Sequence, residues 1–175
     1  MKKPKHVSLI VVYGPAGVGK TTLADLLHDE LSFTAHIGVD HIKRFISEFR
    51  DIASHQVVSR KVIDAMVEEY LETGISVIVE QGMTRAEIET LQKIAEEHNA
   101  NFLVYRLDAS RAVADERALK RQEALGKPPI SKEEFDDHSI IHQENDYPAT
   151  HAFDTETMST RQMADEVLLD LRTSE

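Results

Sequence analysis

A short glycine-rich stretch constrains the possible fold of this chain more than any other feature. The residues "GPAGVGKTT" begin at Gly14, follow an apolar, β-branched run and precede a segment whose leucines have the spacing of one helix face. Gly14, Gly19, Lys20 and Thr21 match the pattern G-x-x-x-x-G-K-[ST]. A match by chance in a chain of 175 residues is roughly a one-in-a-hundred event. The stretch therefore predicts a strand, a phosphate-binding turn and a helix in direct succession.

The residue types in this turn fit the binding of a nucleotide's phosphates. Glycines let the backbone approach closely, successive N–H groups converge on the phosphates, and the following helix presents its positive end to them. We expect Lys20 to supply a charge to the β/γ-phosphates and Thr21 to offer a hydroxyl to Mg²⁺. Thr22 is either a contact to the α-phosphate or an ordinary residue of the first helical turn. The predicted nucleotide-binding residues are Gly14, Pro15, Ala16, Gly17, Val18, Gly19, Lys20, Thr21 and Thr22.

Strand-like and helix-like segments alternate along the whole chain. The predicted strands are residues 7–13, 34–39, 75–79, 102–107 and 151–155, and the predicted helices are residues 20–31, 41–49, 56–73, 84–98, 110–125 and 159–171. Such alternation implies a parallel sheet with helices on both faces. A chain of 175 residues fits one domain. We therefore predict a single α/β domain, residues 1–175, with a five-stranded parallel sheet.

Several short-range signals mark the ends of the predicted helices. Asp40 can cap the helix that follows the second strand, and Gly74 stops the long third helix. Thr84 and Glu87 are spaced like a capping box, in which each side chain binds the other residue's backbone N–H.

The segment of residues 108–150 is predicted to be a lid-like excursion from the sheet. A helix opens it, "GKPPIS" ends that helix, and the polar residues 131–146 include few core candidates. His138 and His142 lie four residues apart, but no third metal ligand is evident, so a solvated helix face is the favoured interpretation.

Composition excludes several classes of protein. The net charge of −11 and the lack of a long Lys/Arg cluster argue against a sequence-independent grip on a nucleic-acid backbone, without excluding nucleic acid altogether. The absence of Cys rules out disulfides and thiolate chemistry. No apolar stretch approaches the roughly 20 residues of a membrane-spanning helix. The apolar run after residue 6 is shorter than the core of a signal peptide and is followed by no small-residue cleavage site, so we expect no signal peptide here. We expect a cytoplasmic protein that does not bind membranes.

Two carboxylates stand at the ends of predicted strands, where ligands bind to an open parallel sheet. Asp40 and Glu80 could orient an attacking hydroxyl and hold a metal, although Asp40 could equally serve only as a helix cap. A buried, unpaired Glu80 would cost several kcal/mol, so a metal, a water shell or an Arg partner is expected beside it. Arg44 and Arg85 follow the two carboxylates and could bind substrate or form local ion pairs.

Two arginines of the excursion are candidates for binding a phosphoryl group in transfer. Arg117 and Arg121 are four residues apart and share one helix face. The alternative is a solvated face shared with Asp115 and Glu116.

The sequence resembles the small P-loop kinases, a group that includes zeta-toxin-like, chloramphenicol-phosphotransferase-like, gluconate-kinase-like and polynucleotide-kinase-like proteins. The matching stretches are "GPAGVGKTTLADLL", "GVDHIKRF", "VIVEQGMTRAEIETLQKIAEEHNANFLVYRLDASRAVADERALKR" and "FDTETMSTRQMADEV". They cover nearly the whole chain except for residues 126–147. The resemblance implies a three-layer P-loop NTPase fold with a helical lid, and ATP and Mg²⁺ as cofactors.

The resemblance also implies roles for individual residues. Lys20 and Thr21 become the nucleotide and Mg²⁺ contacts, and Asp40 becomes the carboxylate that binds the acceptor hydroxyl. Arg117 and Arg121 become the phosphate clamp of the lid. Asp154 and Thr155 fall where the last strand turns near the adenine, although a polar turn with a helix cap is an equal alternative. The family often has Asp at the position of Glu80, so either Asp40 or Glu80 could organise the metal.

Three functions follow from these patterns. The first is an ATP-dependent kinase that phosphorylates a hydroxyl of a sugar, a nucleoside or an antibiotic-like small molecule. The second is a polynucleotide 5′-end kinase, and the acidic composition counts against it. The third is an ATP-binding switch without acceptor phosphorylation; a GTPase would need the motif N-K-x-D, which the sequence lacks. The sequence leaves the oligomeric state open between monomer and dimer.

Overall fold

A computed structural model describes residues 7–48, 53–124, 126 and 145–173 of the chain. The strands are β1 (Ser8–Tyr13), β2 (Thr34–Gly38), β3 (Ser76–Gln81), β4 (Asn101–Asp108) and β5 (His151–Asp154). The helices in these ranges are α1 (Lys20–Glu30), α2 (Val39–Lys43), α3 (Ala53–Glu72), α4 (Arg85–Glu97), α5 (Arg111–Ala124) and α6 (Thr160–Thr173).

The five strands form one parallel sheet in the order β2-β3-β1-β4-β5. Strand β1 lies at the centre, and the chain continues from it to β2 on one side and later to β4 on the other. In such a sheet the crevice for ligands lies outside the carboxyl ends of the strands, where the strand order reverses. The glycine-rich turn follows β1 and therefore lies at the middle of this edge.

Helices cover both faces of the sheet, as the alternating pattern predicts. All side chains of β1 are buried, because successive residues point to opposite faces and both faces are covered. One face packs against α3 and α4 in a core that includes Leu9, Val11, Ile63, Val67, Ile88 and Leu91. The other face packs against α1 and α6 in a core that includes Ile10, Val12, Leu23, Leu27, Met163 and Val167. The predicted three-layer α/β fold is thus confirmed.

Two of the predicted helix-end signals are confirmed. The Thr84 side chain accepts a hydrogen bond from the Glu87 N–H at 3.4 Å, and the Thr84 N–H donates to Glu87 Oε2 at 2.8 Å. Helix α3 ends at Glu72, and Gly74 has a φ of 77° while its N–H donates to the Leu71 carbonyl at 3.0 Å. Glycine tolerates this left-handed conformation without the steric cost of a Cβ.

The predicted cap at Asp40 is wrong. Gly38 is the N-cap of α2 and no side chain caps the helix, so Asp40 lies in its first turn. The reason is that β2 passes into α2 without a connecting loop, which places the helix start before Asp40. The helix also ends at Lys43, earlier than predicted, and the following residues through Glu48 form turns.

The described residues at the end of the predicted excursion pack against the body of the protein. Asn145 is 5% exposed, and its side-chain amide donates to the Met83 carbonyl at 2.7 Å. The Tyr147 hydroxyl donates to Gln92 Oε1 at 2.7 Å. Asn145 belongs to the polar segment in which few core residues were predicted. Its side chain can be buried because its amide donates a hydrogen bond to a backbone carbonyl. His138 and His142 lie outside the described residues.

Candidate functional site

The glycine-rich turn packs against two other elements so closely that side chains are excluded. A Cβ on Gly14 would lie 2.2 Å from the Leu107 carbonyl oxygen, at the end of β4. A Cβ on Gly17 would lie 2.1 Å from the Ala114 carbonyl oxygen, in α5. Both glycines also have positive φ angles, 152° and 81°. Gly17 is not a fixed position of the sequence pattern, and its contact with α5 is what requires glycine there.

Lys20 is the first residue of α1, and its side chain folds back over the turn. Its Nζ donates to the Pro15 carbonyl at 2.7 Å. Burial lowers the pKa of Lys20 to about 8, the carboxylates of Glu80 and Asp40 oppose this shift, and the charge of Arg121 adds to it. The ammonium group is therefore held inside the turn at a cost that an anionic ligand would offset.

Glu80 lies in β3, one residue before its end, and is only 8% exposed. The Thr21 hydroxyl donates to Glu80 Oε1 at 3.2 Å. Burial raises the pKa of Glu80 to about 7, while the charge of Lys20 and the Thr21 hydrogen bond act in the opposite direction. Of the partners expected beside Glu80, an arginine, Arg121, acts on it through its charge, and the direct hydrogen-bond partner is the Thr21 hydroxyl.

The charges of Asp40, in α2, and Arg121, in α5, act on the same two side chains. The Asp40 charge raises the pKa of both Lys20 and Glu80, and the Arg121 charge lowers the pKa of both. Coulombic interactions decline with distance and with screening, so groups that act on the same two side chains surround one site. Asp40 itself is exposed, which leaves its carboxylate open to a second ligand.

Arg117 has a different environment from Arg121, although the sequence places both on one helix face. Its Nη1 donates to the Thr155 hydroxyl at 2.9 Å, and its Nη2 donates to the Thr155 carbonyl at 3.1 Å. Asp154 precedes this turn, and its Oδ1 accepts the Glu156 N–H at 2.9 Å. The structure thus brings Arg117 and Thr155 together at the end of β5.

Three further predicted residues, Thr22, Arg44 and Arg85, lie on the surface, whereas Val18 is 1% exposed and belongs to the core. Arg85 forms ion pairs with Glu89 at 2.7 Å and with Asp146 at 2.8 Å, and these two partners raise its pKa. Arg44 follows α2 and is exposed, and Thr22 is exposed in the first turn of α1. Of the two interpretations of Arg85, substrate binding or local ion pairing, the structure shows the ion pairs.

Sequence reasoning missed one polar residue at this edge. Gln81 is the last residue of β3 and is 7% exposed, and its Nε2 lacks a hydrogen-bond partner among the described residues. Because side chains alternate along a strand, Gln81 points away from Glu80 and towards the α3 and α4 side of the sheet. The sequence did contain a signal for this residue, because Gln81 is polar and directly follows Glu80 at the carboxyl end of a strand.

The side chains at the turn fit a magnesium ion. Mg²⁺ prefers oxygen ligands and in phosphoryl-transfer sites commonly takes one or two from the protein, with water and phosphate oxygens completing the shell. Thr21 and Glu80 already place a hydroxyl and a carboxylate oxygen in contact. In the part of the chain that is described, no cluster of three or more His, Cys, Asp or Glu residues could hold a metal by itself.

Comparison with known proteins agrees with this geometry. Residues 9–139 match the model of a family described as an AAA domain. A protein of Autographa californica nuclear polyhedrosis virus, named as a bifunctional polynucleotide kinase/RNA ligase, is 26% identical over 140 residues. That alignment covers 74% of this chain and only 20% of the viral protein, so the chain spans about a fifth of the length of this relative.

Solved structures share the fold at low sequence identity. A sugar kinase from Janibacter sp. HTCC2649 superposes with a TM-score of 0.71 at 16% identity, covering 95% of each chain. The APS kinase CysC of Mycobacterium tuberculosis, solved with AMPPNP and APS, superposes with a TM-score of 0.69 at 14% identity, covering 97% of this chain and 99% of that one. Every helix in the described ranges is too short or too polar to span a bilayer.

The chain belongs to the AAA domain family and has the fold of the small P-loop kinases.

Proposed function

We propose that this protein is an ATP-dependent kinase that transfers the γ-phosphoryl group to a hydroxyl of a small-molecule acceptor. One observation carries the proposal: at the carboxyl edge of the sheet Thr21 hydrogen-bonds Glu80, and the charges of Lys20, Asp40 and Arg121 all act on that carboxylate. Phosphoryl transfer requires positive charges around the migrating group and a carboxylate that orients the attacking hydroxyl. The site combines both within one space.

In this proposal the glycine-rich turn holds the ATP phosphates. Backbone N–H groups of residues 16–22 and the amino-terminal end of α1 bind the phosphate oxygens, and Lys20 leaves the Pro15 carbonyl to contact the β/γ-phosphates. Thr21 and Glu80 would hold Mg²⁺, which when bound would neutralise charge on the phosphates. Arg121 approaches the γ-phosphoryl group from α5 and stabilises the charge that spreads over its oxygens.

The acceptor lies on the side of Asp40. Its exposed carboxylate accepts a hydrogen bond from the acceptor hydroxyl, orients that oxygen towards the γ-phosphorus and takes the proton as the new bond forms. Arg44, one turn further along and also exposed, is placed to contact the remainder of the acceptor. Asp40 and Arg44 thus define the acceptor side, and Lys20 and Thr21 the nucleotide side.

The adenine would lie near the turn after β5. Arg117 joins this turn to α5 through both hydrogen bonds to Thr155. We propose that Asp154 and Thr155 line the base and that α5 belongs to a lid-like excursion, residues 108–150, of a single kinase domain. Closure of such a segment would exclude water from the phosphoryl group.

ATP consumption against a panel of acceptors tests this proposal. The panel contains sugars, nucleosides, aminoglycosides and chloramphenicol-type antibiotics, each with Mg²⁺. We expect one class to stimulate turnover in the wild-type protein and not in Lys20→Met. Lys120→Met is the matched control, because Lys120 is exposed and pairs with Glu116 on the surface. Turnover that no acceptor stimulates would instead favour an ATP-binding switch.

The role of Asp40 is tested separately with Asp40→Asn. This variant keeps the size of the side chain but cannot accept the proton, so we expect acceptor phosphorylation to decrease by about 10²-fold or more. ATP binding, measured by calorimetry, is expected to remain. Unchanged acceptor phosphorylation would contradict the assignment of Asp40 as the base.

A second candidate function is phosphorylation of polynucleotide 5′ ends. The named activity of the viral relative favours it, while the net charge of −11 opposes tight binding to a nucleic-acid backbone. Single-stranded DNA and RNA with 5′-hydroxyl ends, incubated with labelled ATP, provide the test. Lys20-dependent labelling of these ends and of no small molecule would replace the first proposal with this one.

A further inference from the structure

The amino-terminal half of helix α3 carries apolar side chains on its outward face as well as on the face that packs against the sheet. Its inward residues Ile63 and Val67 are fully buried. On the opposite side Val57, Val58 and Val62 are 53%, 50% and 40% exposed. Single exposed apolar residues are common on protein surfaces, but Val58 and Val62, four residues apart, adjoin each other on successive turns. A helix that is apolar on two faces is typical of a helix covered on both.

An open groove lies next to these valines. It has a volume of about 390 Å³ and is lined by Val62, Ala65, Met66, Glu69 and Tyr70. Its walls are mainly apolar, and Ala65 lets another backbone approach closely. The outward face of α3 thus offers both exposed valines and a neighbouring apolar groove.

The spacing of these residues fits a helix-on-helix contact. Val58, Val62 and Ala65 are separated by four and then three residues, which is the repeat that lets two helices pack along a narrow seam. Glu69 and Glu72 continue the same spacing.

Charges along this face are segregated. Lys61 lies in the amino-terminal half of α3, whereas Glu68, Glu69 and Glu72 lie in the carboxyl-terminal half, and all four are exposed. A parallel pair of such helices would place carboxylates against carboxylates. An antiparallel pair related by a two-fold axis places Lys61 of each copy opposite Glu68 of the other.

We propose that the outward face of α3 is the interface of a symmetric dimer, in which the α3 helices of two copies pack antiparallel near Ala65. Val62 of each copy enters the groove of the other, and two Lys61–Glu68 pairs flank the contact. One pair of helices buries less than the roughly 1,200 Å² of stable interfaces, so the dimer is weak and concentration-dependent. The proposal is independent of the nucleotide site and of the acceptor.

Sedimentation velocity of the full chain over a range of concentrations tests the dimer. We expect a reversible monomer–dimer equilibrium in the wild-type protein. Val62→Glu would place a carboxylate in the groove beside Glu69, and we expect the dissociation constant to increase by about 10²-fold or more. Leu169→Glu is the matched control: Leu169 is 53% exposed on α6, across the sheet from α3, and its change should leave the dimer intact. A wild-type protein that stays monomeric, or a dimer that Val62→Glu leaves intact, would overturn the proposal.

Charge reversal tests the antiparallel arrangement. Lys61→Glu and Glu68→Lys should each weaken the dimer, because each homodimer then contains two pairs of like charges. A mixture of the two variants restores both opposite-charge pairs in the heterodimer, so we expect dimer to reappear on mixing. Failure to recover on mixing would exclude the antiparallel contact. Circular dichroism of each variant verifies that these surface changes leave the fold intact.

Discussion

Two charged clusters near the carboxyl edge of the sheet differ in whether their surroundings favour the charged or the neutral forms of their side chains. Lys20, at the start of α1, and Glu80, in β3, lie beside the glycine-rich turn, and burial shifts the pKa of each in the direction that favours its neutral form. Arg85 lies on the surface, where Glu89 and Asp146 favour its charge and raise its pKa. Both clusters contain residues that the sequence suggested as parts of one site.

The difference distinguishes a binding site from a surface ion pair. A buried charge that its neighbours satisfy only in part is costly, and such groups concentrate at functional sites because a ligand can offset the cost. An exposed pair is already satisfied by its partner and by water, and contributes little to stability or to chemistry. The following predictions test this contrast, from the largest effect to the smallest.

Lys20→Met should have the largest effect on activity and a favourable effect on stability. Removing a positive charge that follows the transferring phosphoryl group is expected to decrease kcat/KM by about 10³-fold. The folded pKa of Lys20, about 8, is below its ordinary value of 10.5. At neutral pH the lysine is therefore still charged, but its charge destabilises the folded state relative to the unfolded state. Urea denaturation at pH 7 should therefore show a variant at least as stable as the wild type. A folded variant with normal activity would contradict the role of this lysine.

Arg121→Ala should decrease kcat by about 10²-fold, because its charge acts on the same site as Lys20. Arg117→Ala should instead raise the KM for ATP, since Arg117 contacts Thr155 at the end of β5. Steady-state kinetics with both substrates varied separate these effects. Equal changes in kcat and KM for the two variants would favour a single clamp formed by both arginines.

Glu80→Gln should stabilise the protein in a pH-dependent manner when metal is removed with a chelator. The folded pKa of Glu80, about 7, is above its ordinary value of 4.5. Between these values the folded protein binds more protons than the unfolded one, so wild-type stability decreases as the pH rises through this window. Glutamine does not ionise, and we expect an advantage on the order of 2 kcal/mol at pH 8 that disappears below about pH 4.5.

Urea titrations at several pH values measure this difference. Glu89→Gln, which alters an exposed carboxylate, is the control and should show no such pH dependence. A Glu80→Gln variant whose advantage persists unchanged at pH 4 would contradict the assigned cause.

Arg85→Ala should have the smallest effect. Its ion pairs are exposed, so we expect kcat, the KM values and the urea midpoint to stay close to those of the wild type. An increase in the acceptor KM alone would show that Arg85 contacts substrate and would remove the contrast between the two clusters.

Much of this site was predictable from the sequence because its signals are local. The glycine pattern places Lys20 and Thr21 at the start of α1, where the structure has them. The capping box of Thr84 and Glu87 involves residues three apart, and both of its hydrogen bonds are present. Such features depend on neighbouring residues and on backbone angles that only certain residue types adopt.

Other features depend on residues far apart in the chain. Thr21 and Glu80 are 59 residues apart, and Asn145 and Met83 are 62 apart, so neither contact could be derived from spacing. The environment of Arg117 differs from that of Arg121 because Arg117 bonds Thr155. Since Thr155 lies 38 residues further along the chain, helix spacing could not predict this contact. The start of α2 at Val39 reflects how β2 enters the sheet, and therefore the cap predicted at Asp40 was wrong.

The sequence by itself determined the elements, their alternation and the phosphate-binding turn, because periodicity, capping and positive φ angles are properties of short segments. The tertiary structure alone decided the strand order, the close packing of Gly17 against α5, and the burial that shifts the pKa values of Lys20 and Glu80. The physical reason is that desolvation and Coulombic interactions depend on distances in space, which are fixed only when distant segments pack together.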